Sequence, residues 1–254
     1  MATTALITGA SSGLGADYAR QLAERGADLV LVARDRDALQ TLAEEIRIDH
    51  GVTVTLLVAD LLNPKQRDKV CARLSDPLSP VGVLVNAAGF GLPLTFEHNA
   101  LADEVNHLEL LVQVPMMLMH AVLPGMLARG RGRILNIASV AAFTPRSTYG
   151  AAKRWLVSFS EWANATYGPQ GVTVTAVCPG FTHTNFHERM GLAPGNEGVP
   201  TGMWLDSPDV VAQSLRDAAR GKAVSIPSFR YKALVLLVRL LPSAWAARVA
   251  GAGR

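Results

Sequence analysis

The sequence predicts an α/β fold: a single doubly wound domain around a parallel sheet of about seven strands. Two observations carry this expectation. Short apolar runs rich in β-branched residues alternate with stretches of helical period along most of the 254 residues. Strands alternating with helices of this length give a parallel sheet with right-handed crossovers. The runs are also apolar nearly throughout, as strands covered on both faces must be.

The runs fall at residues 5–8, 29–33, 52–59, 81–86, 133–138, 172–177 and 223–227. Between them Leu14, Tyr18 and Leu22 recur every fourth residue. Leu39, Leu42 and Ile46, and later Val211, Leu215 and Ala218, recur at three and four, the spacing of one buried helical face. Gly, Pro and Asn collect over residues 191–202, so a segment near 185–205 reads either as a substrate lid or as an ordinary surface loop. Residues 230–254 read as a helical extension that mixes Leu, Val and Trp with Arg230, Lys232, Arg239 and Arg248. Such a segment packs on its own domain, on a neighbouring subunit, or on a membrane surface as a peripheral contact. No composition shift marks a second domain, so residues 1–254 are expected to form one.

Composition narrows the function classes. With 49% hydrophobic and 18% charged residues, the chain is globular rather than disordered. Lys and Arg exceed Asp and Glu by 24 to 21, a net charge of +3, too small and scattered for a nucleic-acid footprint. Two cysteines, Cys71 and Cys178, exclude a disulfide framework and a zinc ribbon and suit a reducing compartment. Met1 leads straight into a β-like run without an export signal. No apolar run is expected to reach the ~18 residues of a membrane span, and a cytoplasmic protein is expected. His183 and His187 lie four apart without an H-E-x-x-H pattern and read as a loop-helix histidine pair, so no metal site is expected.

The first run ends in Thr8-Gly9-Ala10-Ser11-Ser12-Gly13-Leu14-Gly15 and enters a helix directly. Glycines in such a turn make it tight, let the backbone approach a pyrophosphate and pack helix on strand. The helix N-terminus then offers N–H groups and a positive dipole end to phosphates. The second run ends at Ala33-Arg34, with no carboxylate for a ribose 2′-hydroxyl but an arginine suited to a 2′-phosphate. Asp35 follows one residue later and reads as the N-cap of the next helix, though a carboxylate so close keeps NAD(H) open. Tyr149-Gly150-Ala151-Ala152-Lys153 places a phenol and an ammonium at i and i+4 on one helix face. A nearby positive charge is expected to lower the phenol from its ordinary value of about 10.

In this order the motifs resemble the short-chain dehydrogenase/reductase family over residues 3–227. They are the T-G-x-x-x-G-x-G turn, Asp60-Leu61, Asn86-Ala87-Ala88-Gly89, Ser139, Tyr149 with Lys153, and Pro179-Gly180-x-x-x-Thr184. The resemblance implies a Rossmann-type domain that moves hydride between a nicotinamide and a carbonyl or alcohol carbon of a small molecule. NADP(H) is favoured as cofactor. It implies Tyr149 as the acid–base group, Ser139 as the partner of the substrate oxygen, and Lys153 as the electrostatic and ribose-binding group. Cofactor contacts are implied at Gly9, Ser11, Ser12, Gly13, Leu14, Gly15, Arg34, Asp60, Leu61, Asn86, Ala87, Ala88, Gly89, Tyr149, Lys153, Pro179, Gly180, Thr182 and Thr184. Relatives assemble as homodimers or homotetramers through two long helices, here near residues 115–127 and 149–167, and Trp155, Phe159 and Trp162 suit such an interface. Phe90, Phe143, Phe181, Phe186, Met190 and Trp204 suggest an apolar substrate, although core packing explains aromatic residues equally well.

Three features depart from the family pattern. Ser12 stands where many NADP-preferring relatives carry a basic residue. Ser139 and Tyr149 are ten positions apart, a shorter span than most relatives have, so the intervening loop is expected to close tightly. The family's catalytic Asn falls at Leu111, which leaves a non-catalytic, redox-sensing protein of the same fold as the alternative. Pro115 lies four residues after Leu111 and has no N–H for that carbonyl. The helix is therefore expected to bend there and free a carbonyl for the water that relatives hold beside their lysine.

Overall fold

The computed structural model describes residues 3–93, 96–144, 147–184 and 200–240. Their strands are β1 (Thr4–Thr8), β2 (Asp28–Ala33), β3 (Val54–Val58), β4 (Val81–Asn86), β5 (Gly132–Ile137), β6 (Val172–Val177) and β7 (Val224–Ser225). All pair in parallel, in the order β3-β2-β1-β4-β5-β6-β7. The last run is cut short because Pro227 has no N–H to give a ladder. The helices are α1 (Gly13–Glu24), α2 (Arg36–His50), α3 (Pro64–Ser75), α4 (Leu101–Leu108), α5 (Val114–Ala128), α6 (Thr148–Tyr167), α7 (Ser207–Ala219) and α8 (Phe229–Leu240).

Strand alternation divides the core into two layers. Ile7, Leu29 and Leu31 point to one face, where Tyr18 and Leu22 of α1, Leu39, Leu42 and Ile46 of α2, and Val211 of α7 cover them. Leu6, Val30, Leu84 and Ile134 point to the other, beneath Val70 of α3 and Leu118, Val122 and Met126 of α5. Each such Leu or Ile, fully buried, stabilises the fold by roughly 1.5–3 kcal/mol. Side chains close the helix starts: Asp35 accepts the Ala38 N–H at 3.0 Å, and Asn63 accepts that of Gln66 at 3.2 Å.

The expectation that no segment is long and apolar enough for a membrane span fails at one place. Leu101–Ala128 forms one continuous helical stretch of 28 residues with a mean hydropathy of 1.7 over its most apolar window. Its composition has a local reason, because Leu111, Val114, Leu118, Val122 and Met126 are buried in the sheet-side core. This stretch is not uniform. Between α4 and α5, residues Glu109–Gln113 form a π-helical turn, as bends in long helices often do.

The strand order reverses between β1 and β4. A doubly wound sheet opens its ligand crevice at such a point, beyond the carboxyl ends of the strands. The glycine turn, Asn86–Gly89 and Ser139 all follow those strand ends.

Candidate active site

The crevice is built from the β1–α1 turn and the segment after β4. Gly9 has φ 66°, and a Cβ there would stand 2.9 Å from the Ala88 backbone. A Cβ at Gly15 would collide with the Gly9 carbonyl. Only glycine allows either approach. Thr8 Oγ1 accepts the N–H groups of Ala87 and Ala88, both at 3.1 Å, which fixes the two sides of the crevice to each other. Thr184 lies against Gly13, where a Cβ would be 3.2 Å from its methyl. The Pro179–Thr184 element thus closes over the glycine turn. The first turn of α1 contains no acidic residue, and Ser12 makes no side-chain cap there. A bare cradle of glycines facing a helix N-terminus fits the diphosphate of a nicotinamide dinucleotide.

At the end of β2, Arg34 is exposed and makes no ion pair among the described residues. The Asp35 carboxylate is engaged as the cap of α2, the reading that leaves it away from a ribose. Asp60 Oδ1 accepts the Leu62 N–H at 3.0 Å, a turn that shapes the loop after β3. Arg67 donates to the Leu61 carbonyl at 3.2 Å and pairs with Glu109, so this loop is tied to the π turn. Asn86 donates to Asn136 Oδ1 at 2.8 Å, and Asn136 donates to Ser160 at 2.9 Å. This buried chain locks β4, β5 and α6 together.

Ser139, Tyr149 and Lys153 converge at the carboxyl end of β5. Ser139 caps a short 3-10 turn, Val140–Phe143, by accepting the Ala141 N–H at 3.1 Å, and its side chain also hydrogen-bonds Tyr149. The short span between Ser139 and Tyr149 is closed by that 3-10 turn. It packs on α6 at Gly150, where a Cβ would be 2.9 Å from the Ala141 carbonyl. Lys153 Nζ donates to the Ile137 carbonyl at 2.6 Å and lies 5.5 Å from the Tyr149 ring centroid. Leu111 and Gly89 complete the group, for a Cβ at Gly89 would be 3.0 Å from Leu111 Cδ2 and 4.0 Å from Lys153 Nζ.

The electrostatics differ from the sequence expectation. Burial pushes the Tyr149 phenol above its ordinary value, with the Ser139 hydrogen bond opposing it. Burial likewise pushes Lys153 down to about 8. Desolvation disfavours both charged forms and outweighs the effect expected of the ammonium on the phenol. A phenol held protonated is a proton donor, which suits carbonyl reduction.

Sequence reasoning missed His107. It is buried in the last turn of α4, its ring 6.0 Å from that of Tyr149 and 5.3 Å, edge-on, from that of Phe90. Across the crevice, Trp204 faces Phe181 at 5.7 Å and stacks on His183 at 4.8 Å. Phe143 instead sits in a buried cluster with Leu156 and Val157. Cys178 is a fully buried core residue. Tyr231 of α8 pins the site loop by accepting the Phe181 N–H at 3.1 Å and donating to the Met203 carbonyl at 2.8 Å. Phe186, His187, Met190, most of the 185–205 segment and the extension beyond Leu240 lie outside the described residues.

The family model for short chain dehydrogenase matches residues 3–193. The chain belongs to the short-chain dehydrogenase family. It is therefore an oxidoreductase acting on CH–OH or C=O groups with a nicotinamide dinucleotide. The chain is 31% identical to the ketoacyl reductase HetN of Nostoc sp., over 88% of its own length and 77% of that protein. It spans 60% of the very-long-chain 3-oxoacyl-CoA reductase of Anas platyrhynchos, at 32% identity over 71% of its own length. A short-chain dehydrogenase from Sphingobium yanoikuyae, solved with NADPH, superposes with a TM-score of 0.85 at 36% identity, covering 93% of each chain. The bulky-bulky ketone specific alcohol dehydrogenase from Comamonas testosteroni gives 0.80 at 33% identity, covering 95% of this chain and 96% of that one.

Proposed function

We propose that this short-chain dehydrogenase reduces a bulky, apolar ketone with NADPH. The observation that carries the reading is the convergence of Ser139, Tyr149 and Lys153 at the end of β5, with the phenol held in its protonated form. The chemistry that NADPH would supply when bound in this crevice is the hydride for the carbonyl carbon. Ser139 steadies the developing charge on the carbonyl oxygen, and Tyr149 Oη delivers its proton there. Lys153, anchored on Ile137, orients the ribose and restores the phenol's proton. The aromatic pair Phe181–Trp204 supplies apolar surface for bulky substituents, in keeping with the bulky-bulky ketone specificity of the Comamonas testosteroni relative. Loss of NADPH absorbance over a panel of bulky ketones tests this reading. Tight NADPH binding with no turnover across the panel would support the redox-sensing alternative instead. That alternative rests on Leu111 and is not favoured by the relatives, which are reductases and dehydrogenases.

The preference for NADPH rests on Arg34, exposed at the end of β2, and on Asp35 being committed to the α2 cap. Arg34→Ala is expected to weaken NADPH binding roughly 10- to 100-fold, as loss of a charge-assisted phosphate contact does, while NADH affinity stays within about threefold. Fluorescence titration with both cofactors checks it. Equal losses for the two would remove Arg34 from phosphate recognition.

Leu111 can still serve proton transfer through its main chain. The Val114 N–H goes to Glu109 in the π turn rather than to Leu110, and Pro115 has no N–H for Leu111. The Leu110 and Leu111 carbonyls thus lose their α-helical donors, and the Leu111 side chain stands at Gly89, near Lys153. Pro115→Ala restores one donor and is expected to lower kcat roughly tenfold with the NADPH dissociation constant unchanged. Unchanged turnover in a folded variant would show that these carbonyls do not serve the reaction.

Self-assembly through α5 and α6 is the remaining proposal. Trp155, Phe159, Trp162 and Tyr167 form a continuous run of ring contacts along α6, and Trp162 is 53% exposed, an arrangement that suits a subunit interface. In sedimentation velocity, Trp162→Glu is expected to shift a dimer or tetramer toward the monomer. Identical profiles for wild type and variant would place the interface elsewhere.

A further inference from the structure

We propose that His107 is a specificity-determining residue whose Nε2 accepts a hydrogen bond from a hydroxyl next to the reacting carbonyl, which makes the substrate an α-hydroxy ketone. The inference rests on the reading that the chain reduces ketones. His107 is 1% exposed and bonded through one ring nitrogen to the backbone of Phe90. Its Nε2 is buried with no hydrogen-bond partner. The nitrogen that meets Phe90 is therefore Nδ1, which donates its hydrogen to the Phe90 carbonyl. In the neutral ring Nε2 then carries a lone pair and is an acceptor. Burial is the largest influence and holds the imidazole below its ordinary value. Lys153 acts in the same sense, while Glu104 and the Phe90 bond oppose them.

An unpaired buried acceptor is destabilising, and a phenylalanine ring would fill the same space without one. Its placement tells what donor it awaits. The His107 ring flanks that of Tyr149, with 6.0 Å between centroids. A hydroxyl on the carbon next to a ketone held at Tyr149 Oη stays within a few ångströms of that phenol, the neighbourhood that the His107 ring borders. Nε2 is closed off from solvent in the free chain, so a bound hydroxyl must displace what covers it. A site built to pair a substrate hydroxyl discriminates strongly against the analogue lacking it.

Benzoin and deoxybenzoin, bulky ketones that differ by that one hydroxyl, test the proposal with NADPH as cofactor. The wild type is expected to prefer benzoin at least about tenfold in kcat/KM. His107→Asn keeps a donor where Nδ1 stands but removes the distant acceptor, and His107→Phe removes both nitrogens while keeping a ring. Both are expected to bring the ratio near one and leave deoxybenzoin reduction within about threefold of wild type. A wild-type ratio near one, a ratio unchanged in both variants, or equal slowing of both ketones would overturn the proposal. So would failure to reduce benzoin while other ketones are turned over. No reduction of any carbonyl compound would instead overturn the ketone-reductase reading beneath it.

Discussion

Tyr149→Phe is expected to bind NADPH as the wild type does and to lose ketone reduction by about 10²–10⁴-fold in kcat. The substituted ring keeps its place beside His107, 6.0 Å away in the wild type, so packing and the NADPH crevice are retained. What is lost is the hydroxyl that Ser139 holds and that burial keeps protonated. Lys153, whose Nζ is held on the Ile137 carbonyl, returns a proton to the phenol and does not take its place at the substrate oxygen. Stopped-flow NADPH oxidation beside a cofactor titration reads both quantities. A kcat within tenfold of wild type would remove Tyr149 from the proton-transfer step.

Lys153→Met is expected to abolish useful turnover and to change how stability depends on pH. The folded chain holds Lys153 near 8, against the ordinary 10.5. Below pH 8 the lysine is protonated in both states, and burying its charge costs stability. Between pH 8 and 10.5 the unfolded chain binds a proton that the folded chain does not, so this group makes stability rise with pH. The wild type should therefore gain on Lys153→Met by up to roughly 3 kcal/mol across that interval. Denaturant unfolding of both proteins at pH 7, 8, 9 and 10 measures the difference. A flat difference would mean that the lysine is not desolvated in the folded chain.

The strands were legible because buried parallel strands must be apolar on both faces, and β4 and β6 begin and end where their apolar runs do. Gly9, Gly15 and the Tyr149–Lys153 spacing were legible because backbone approach and helix geometry admit few alternatives. His107 was not, since a lone histidine in an apolar helix has no motif. A signal was present, however: it lies four residues before Leu111 and so shares a helix face with it. Pro115 announced a bend, but the π register that moves the Val114 N–H to Glu109 is a tertiary outcome. The phenol's shift was misjudged for a similar reason. The sequence displays the ammonium beside Tyr149, whereas burial, the larger influence, belongs to the folded chain. Apolar composition also failed to foretell Leu101–Ala128, because a helix packed on a sheet and a helix in a bilayer draw on the same residues.

Label transfer is the most direct test of the central claim. NADPH carrying deuterium at the transferable ring position is incubated with the chain and a bulky ketone, and the alcohol is analysed by mass spectrometry. One deuterium on the carbinol carbon with the wild type, and none above background with Tyr149→Phe, is the predicted result. Tight NADPH binding with no deuterated alcohol from any ketone offered would contradict it.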